Sequence, residues 1–259
     1  LVEVMNHPLS SASDIADVIA TDQGLTARLL RLVNSSLYAP VSPIDSVTRA
    51  VAVIGTRELS NLALATSVVR QFRNIPGGLL DPESFWRHNF AVALTARHLA
   101  EQMELPDPEA LFTAGILHDV GRAVLLMHFG APFSASVERA RREGRPLYEA
   151  ERLENRCDHA AMGAAFLEMW SLPAIHVAVA GGHHAPRGGS PFAREVALVH
   201  VADHIANALH WGASGQERVP PLDPGAWERT RLSTDFVAVL PGMVLPQIDE
   251  ATLIFLNDD

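Results

Sequence analysis

The sequence predicts an all-α, multi-helical protein in which an N-terminal helical subdomain packs beside a helical bundle. Three observations carry this. Apolar residues recur three and four apart in segment after segment. Period-two alternation is nowhere sustained, so no strand is expected. Pro, Gly and Ser/Asp capping signals punctuate the chain at helix-length intervals. At 259 residues and 48% hydrophobic content, the chain can bury a sizeable core in one large domain or two modest ones.

The first helix is expected over Asp14 to Ala20, with Ser13 as its N-cap and Gly24 as its break. Leu25, Leu29, Leu32 and Val33 then form one stripe of a second helix, ended by Asn34-Ser35-Ser36 and Pro40. Ser42-Pro43 is a turn. Ser46 to Ile54 is a third helix stopped by Gly55, and Thr56 caps a fourth over Arg57 to Phe72. This region holds no His cluster and reads as a scaffold or docking surface. Two Pro and two Gly in Ile75 to Pro82 mark a boundary, giving an N-terminal subdomain at 1–78. A bundle follows at 79–215, then a partly helical C-terminal tail at 216–259. In the bundle a long helix from Pro82 to Met103 carries His88 and His98, about 80° apart around its axis, so one site can use only one of them. Pro106-Asp107-Pro108 opens the helix that contains His118 and Asp119. Gly130, Pro132 and Gly144-Arg145-Pro146 bound another helical segment. Asp158 caps a helix bearing His159 and ending by Trp170, Leu172-Pro173 opens one that runs to His183-His184, and Pro191 to His210 follows. In the tail, five prolines leave room for a short helix near Ile248 to Leu256.

Composition excludes several functions. A formal net charge of −10 opposes general binding to nucleic acid or anionic membrane. Arg139, Arg141, Arg142 and Arg145 form a local basic cluster, read as a solvated helix face. All 20 basic residues are Arg, so Schiff-base chemistry and a Walker-type phosphate loop are excluded. No apolar run approaches 18 residues, so no membrane span is expected. The first residues have no basic n-region or initiating Met, which suggests a start inside a longer protein rather than a signal peptide. The single Cys157 excludes an internal disulfide framework and suits a cytoplasmic protein.

The chemistry concentrates at Leu111 to Arg122, where an apolar helical run carries His118 and Asp119 side by side. Burying both unpaired costs several kcal/mol, and together they suit a borderline first-row cation. The alternative is a core His hydrogen-bonded to its neighbour without metal. Further donors favour a metal: His88, His159, His183, His184 and Asp203 fall on or beside separate helices, as bundle metal sites require. Adjacent residues point about 100° apart on a helix, so His118-Asp119 and His183-His184 must straddle a site or bridge two ions. His200, Asp203 and His204 share one face and form a local alternative.

The order His88, His118-Asp119, Asp203 resembles the H…HD…D signature of the HD superfamily of metal-dependent phosphohydrolases. More closely, the chain resembles the HDOD (HD-related output domain) family. The phrases are Leu29 to Ser35, Ala50 to Gly55, Gly115 to Gly121, Trp170-Ser171-Leu172-Pro173, Gly182-His183-His184 and Val201-Ala202-Asp203, which span roughly 1 to 215. The resemblance implies an all-α bacterial signalling output module that acts mainly through protein interaction. Its partner would be a signalling protein or a fused sensory or receiver domain. It implies metal ligands at His88, His118, Asp119 and Asp203, with His159, His183 and His184 where HD-GYP phosphodiesterases place a second ion. One or two divalent ions, iron or manganese, are expected. The second reading is a phosphohydrolase acting on a nucleotide or cyclic nucleotide, with Asp119 and Arg122 as its catalytic residues. Arg122 stands where catalytic relatives often carry a phosphate-contacting Lys. No Glu and no GYP follow His183-His184, which argues against cyclic-di-GMP hydrolysis.

Overall fold

The computed structural model describes Val4 and residues 11–257, and among these every regular element is a helix. The N-terminal layer is α1 (Ala12–Ala20), α2 (Gln23–Val33), α3 (Val47–Ile54) and α4 (Thr56–Phe72). Ser11, not Ser13, caps α1: its hydroxyl accepts from the Asp14 N–H, and the Asp14 carboxylate accepts from the Ser11 N–H. Gly24, expected to break the chain, lies inside α2, because Asp22 caps that helix by accepting from the Leu25 N–H. Gly55 ends α3 with φ +91, and Thr56 begins α4 rather than capping it.

The bundle is built around α5 (Pro82–Gln102), which is buried on nearly every side from Phe85 to Ala100. Around it lie α6 (Pro108–Leu117), α7 (Val120–His128), α8 (Gly130–Glu143), α9 (Leu147–Asn155), α10 (His159–Met169), α11 (Ala174–Gly182) and α12 (Ala193–Ala208). α6 and α12 pack directly on α5, α10 on α7 and α11, and α4 on α6. One continuous hydrophobic cluster therefore runs from Ile19 and Leu62 in the N-terminal layer to Leu198 and Val201 in the bundle. Arg139 pairs with Glu143 and Glu154, Arg141 with Glu217 and Arg145 with Glu143, so acidic partners balance that arginine cluster.

The expected tail is a fold element. It contains α13 (Pro224–Thr230) and α14 (Thr234–Leu256), the latter longer than the short helix foreseen. Pro241 and Pro246 lie inside α14. Each forfeits a backbone hydrogen bond, but the buried stripe Leu240, Val244, Ile248, Ala251 and Phe255 holds the helix against α5 and against α2 and α4. Two helical stretches among the described residues are long and apolar enough to cross a membrane. Pro108–His128 is 94% buried, and Thr234–Leu256 is 33% buried with Val239, Met243 and Leu253 exposed.

Phe255 stacks on Phe90 with ring centroids 4.9 Å apart. Phe255→Ala should therefore cost about 3–5 kcal/mol in urea unfolding, and a cost near zero would show that the C-terminal helix is dispensable. A second prediction concerns His176 at the start of α11, buried beside Ser60 and Asn61 of α4, with neither ring nitrogen hydrogen-bonded. Burial pushes its pKa down to about 4. The unfolded imidazole takes up a proton below about pH 6.5 whereas the folded one resists until about 4, so stability present above 6.5 is lost as pH falls toward 4. His176→Phe should lose about 2 kcal/mol less stability between pH 7 and pH 5 than the parent chain. Identical pH profiles would refute it.

Candidate metal centre

The helical run from Pro108 breaks at His118 and Asp119, contrary to the uninterrupted helix expected there. His118 is the C-cap of α6, and Asp119, with φ −101 and ψ 10, precedes α7. The break frees the two side chains from helical spacing, so both reach one centre. The α6 terminus leaves carbonyls without helical donors, and the His118 Nδ1–H donates to one of them, Gly115 O, at 2.6 Å. His183 repeats the device at the end of α11, donating from Nδ1 to Ala180 O at 2.8 Å. Each ring is thereby locked with its Nε2 lone pair facing inward.

His88 from α5 and Asp203 from α12 complete one side. His88 Nε2 lies 3.1 Å from Asp203 Oδ1, and His118 Nε2 lies 3.8 Å from the same oxygen. Asn207 donates to that oxygen at 2.7 Å. Asp119 Oδ2 is 3.5 Å from His118 Nε2, and its Oδ1 is 3.6 Å from His183 Nε2 and 3.2 Å from His159 Nε2. The donors form two adjoining groups, His88, His118 and Asp203 in one and Asp119, His159, His183 and His184 in the other. Within each, the donor atoms all lie within 4.8 Å of one another. All seven sequence-predicted ligands are thus brought together.

His98 points elsewhere, to Glu101 and Gln247. The local alternative on α12 does not form: His200 Nδ1 donates to His183 O, and His204 Nδ1 donates to Pro220 O. The residue that sequence reasoning missed is Glu151 on α9. Fully buried, it lies 2.5 Å from His159 Nδ1 and accepts from the His159 N–H at 2.8 Å. Such a partner orients an imidazole from behind, but eight residues of separation across two helices left no motif to find.

Arg122, standing where the resemblance implies a phosphate contact, lies inside the centre at 1% exposure. Its Nη1 is 2.7 Å from Asp119 Oδ2 and donates to Ser214 O, and its Nη2 is 3.1 Å from His159 Nε2. Close backbone contact makes this arrangement: a Cβ on Gly121 would meet His159 O at 2.0 Å, so α7 and α10 touch where Asp119 and His159 meet. A strap at 211–216 closes the other side. Ala213 N–H donates to Ser84 O, and Gly212, at φ +82, has no room for a Cβ against the His88 backbone. His184 is half-buried and stacks on Tyr148 at 4.3 Å.

The charges interlock. Burial disfavours ionised Asp119, but Arg122, His118 and His159 outweigh it and hold the carboxyl well below the usual carboxylate range. Asp203 is likewise held low despite burial, chiefly by His88. Burial pushes His118 down to about 4 and His184 well below the ordinary histidine value. For His159, burial and Arg122 favour the neutral ring, but Glu151 and Asp119 outweigh them and raise it to about 9.

A metal ion fits one part of this constellation. His118 Nε2, His183 Nε2 and both Asp119 oxygens are buried without a hydrogen-bond partner of good geometry, although Arg122 lies close to one of those oxygens. Converging orphaned donors of mixed imidazole and carboxylate type are the atoms a borderline divalent cation takes.

The HDOD domain family model matches residues 1–186. The chain is 23% identical over 224 residues to an uncharacterized protein of Treponema pallidum (strain Nichols), covering 83% of this chain but only 42% of that one. Among solved structures, an HDOD domain protein of unknown function from Geobacter sulfurreducens is similar at TM-score 0.80 and 26% identity, with 98% of this chain and 89% of that chain covered. A proposed phosphohydrolase from Shewanella amazonensis SB2B shares the fold at TM-score 0.75 and 22% identity, with 99% and 91% covered. A proposed signal transduction protein from Marinobacter aquaeolei VT8 shares it at TM-score 0.75 and 20% identity, over 99% of this chain and 58% of that chain.

Glu151 supplies the geometric test. Glu151→Ala strips a buried partner from His159 and should cost about 3–5 kcal/mol in chemical denaturation. A loss below about 1 kcal/mol would mean the pair is not a structural support.

Proposed function

The chain belongs to the HDOD family, and on that premise we propose that it is a signalling output module with a buried metal-holding core, acting by contact with another protein. One observation supports this above the rest: the donors are closed off. His88, His118, Asp119 and His183 are fully buried and Asp203 is 3% exposed. The 211–216 strap is bonded to Ser84 and to Arg122, the partner of Asp119, and His184 of the same centre stacks on Tyr148. His88, His118, Asp119, His183 and Asp203 would hold the ion, and their mixed donors suit iron or manganese. Bound there, a divalent ion supplies fixed positive charge to a carboxylate-rich interior, and in an open site it would supply Lewis acidity toward a phosphate. The residues themselves hold the pocket shut: His118 and His183 fix their own rings on helix-end carbonyls, and Asn207 steadies Asp203. The partner is a separate signalling protein or a sensory or receiver domain in the same polypeptide. The chain spans less than half of its Treponema relative, which is consistent with such a fusion.

The second reading, a phosphodiester hydrolase, draws on the same donor set. It is favoured by the completeness of that set and by the guanidinium already beside Asp119.

The two are separated by metal content and turnover in one experiment. Protein purified anaerobically should carry bound iron or manganese, and Asp119→Ala should lose it while staying helical by circular dichroism. The loaded chain should be stabilised by about 2.7 kcal/mol at a free-metal level a hundredfold above its Kd, and should not hydrolyse bis(p-nitrophenyl) phosphate or cyclic nucleotides. Turnover that disappears in Asp119→Ala would replace the platform reading with the hydrolase.

A further inference from the structure

We infer that the Arg122 guanidinium is a resident cation in the second donor group, so that the centre holds one metal ion and not two. This deepens the metal-site reading above and rests on it. The His118 side and the His159 side of the centre differ in what their atoms already do. Toward His118, His118 Nε2 and His183 Nε2 have no hydrogen-bond partner, and Asp119 faces them at 3.5 and 3.6 Å. Around His159 the inward atoms are engaged. Its Nδ1 is held by Glu151 at 2.5 Å, and its Nε2 has His184 at 2.7 Å, Arg122 at 3.1 Å and Asp119 at 3.2 Å. The space a second ion would enter between His159 and Asp119 is bordered by the guanidinium, 2.7 Å from the carboxylate such an ion would need.

Arg122 cannot vacate that role cheaply. Its Nη1 also donates to the Ser214 carbonyl, and only 1% of the residue is exposed. An arginine keeps its proton under all ordinary conditions, so this charge is permanent. Like charges a few ångströms apart repel strongly where water is excluded. Fixed charge points the same way. Asp119, Asp203 and Glu151 are the buried carboxylates of the centre. Leaving the imidazoles aside, one divalent ion and Arg122 balance these three, whereas two ions and Arg122 exceed them by two.

The test is a count of ions. The full 259-residue chain is stripped with chelator, dialysed to equilibrium against Mn2+ or Co2+, and analysed for bound metal. The expected result is one equivalent for the parent chain and two for Arg122→Met, which keeps the bulk and removes the charge. Adding His184→Ala to Arg122→Met should return the count to one. His184→Ala alone should leave the parent at one, a measurement that does not depend on Arg122→Met folding. Two ions in the parent chain, one ion in a folded Arg122→Met, or loss of the single ion in His184→Ala would each overturn the inference. Two ions in the parent would do so while leaving the metal-site reading intact. No ion in either the parent or Arg122→Met would overturn both.

Discussion

A carboxylate buried between two helices is the constraint this molecule is built around. Asp119 is fully buried, and its charge is held by Arg122, His118 and His159 together. A lone ionised carboxylate in such a place would carry several kcal/mol of desolvation penalty, so the surrounding groups are conditions of folding as well as of any chemistry. They arrive from different directions. Arg122 is one turn along α7, His118 closes α6, and His159 opens α10 where Gly121 lets the two backbones meet. Moving any one of these helices by the width of a methyl group would separate the charges. The close packing of α7 on α10 is thus an electrostatic requirement expressed in sterics.

The scaffold follows from that requirement. A centre assembled from six helices needs a common reference, and α5 provides it: buried nearly all round, it carries His88 inward and receives α6, α12 and α14 on its other sides. The N-terminal layer meets the bundle through α4 on α6 and shares the same hydrophobic cluster. α14 ties the two ends of the chain together by touching α2, α4 and α5.

The sequence made the donors legible because each one breaks a local pattern. An imidazole or carboxylate in an apolar run is costly enough to demand a reason, and His88, His118, Asp119, His159, His183, His184 and Asp203 all converge. Three things were hidden. The break at His118 and Asp119 has no Gly or Pro to announce it, and the apolar periodicity continues on both sides. Glu151 sits in a charged helix where one more Glu looks like surface. The prolines of α14 read as helix breakers, but that rule assumes no compensating burial, and the stripe ending at Phe255 supplies it. Arg122 was found by motif, but position in the chain cannot distinguish a guanidinium that reaches out toward solvent from one folded back onto its own Asp.

The folded-back guanidinium also ties the centre to the segment that covers it. Here the closing element is the 211–216 strap, fixed by the Ala213 N–H on Ser84 O, by Gly212 against the His88 backbone, and by Arg122 on the Ser214 carbonyl. The Ser214 hydroxyl in turn donates to Asn207, which donates to Asp203. Asp119 and Asp203 are therefore each one side chain away from the same short segment, and that segment runs on through half-buried Gln216 to exposed Glu217. The helices around the centre are held by packing, whereas the strap is held by these few polar contacts.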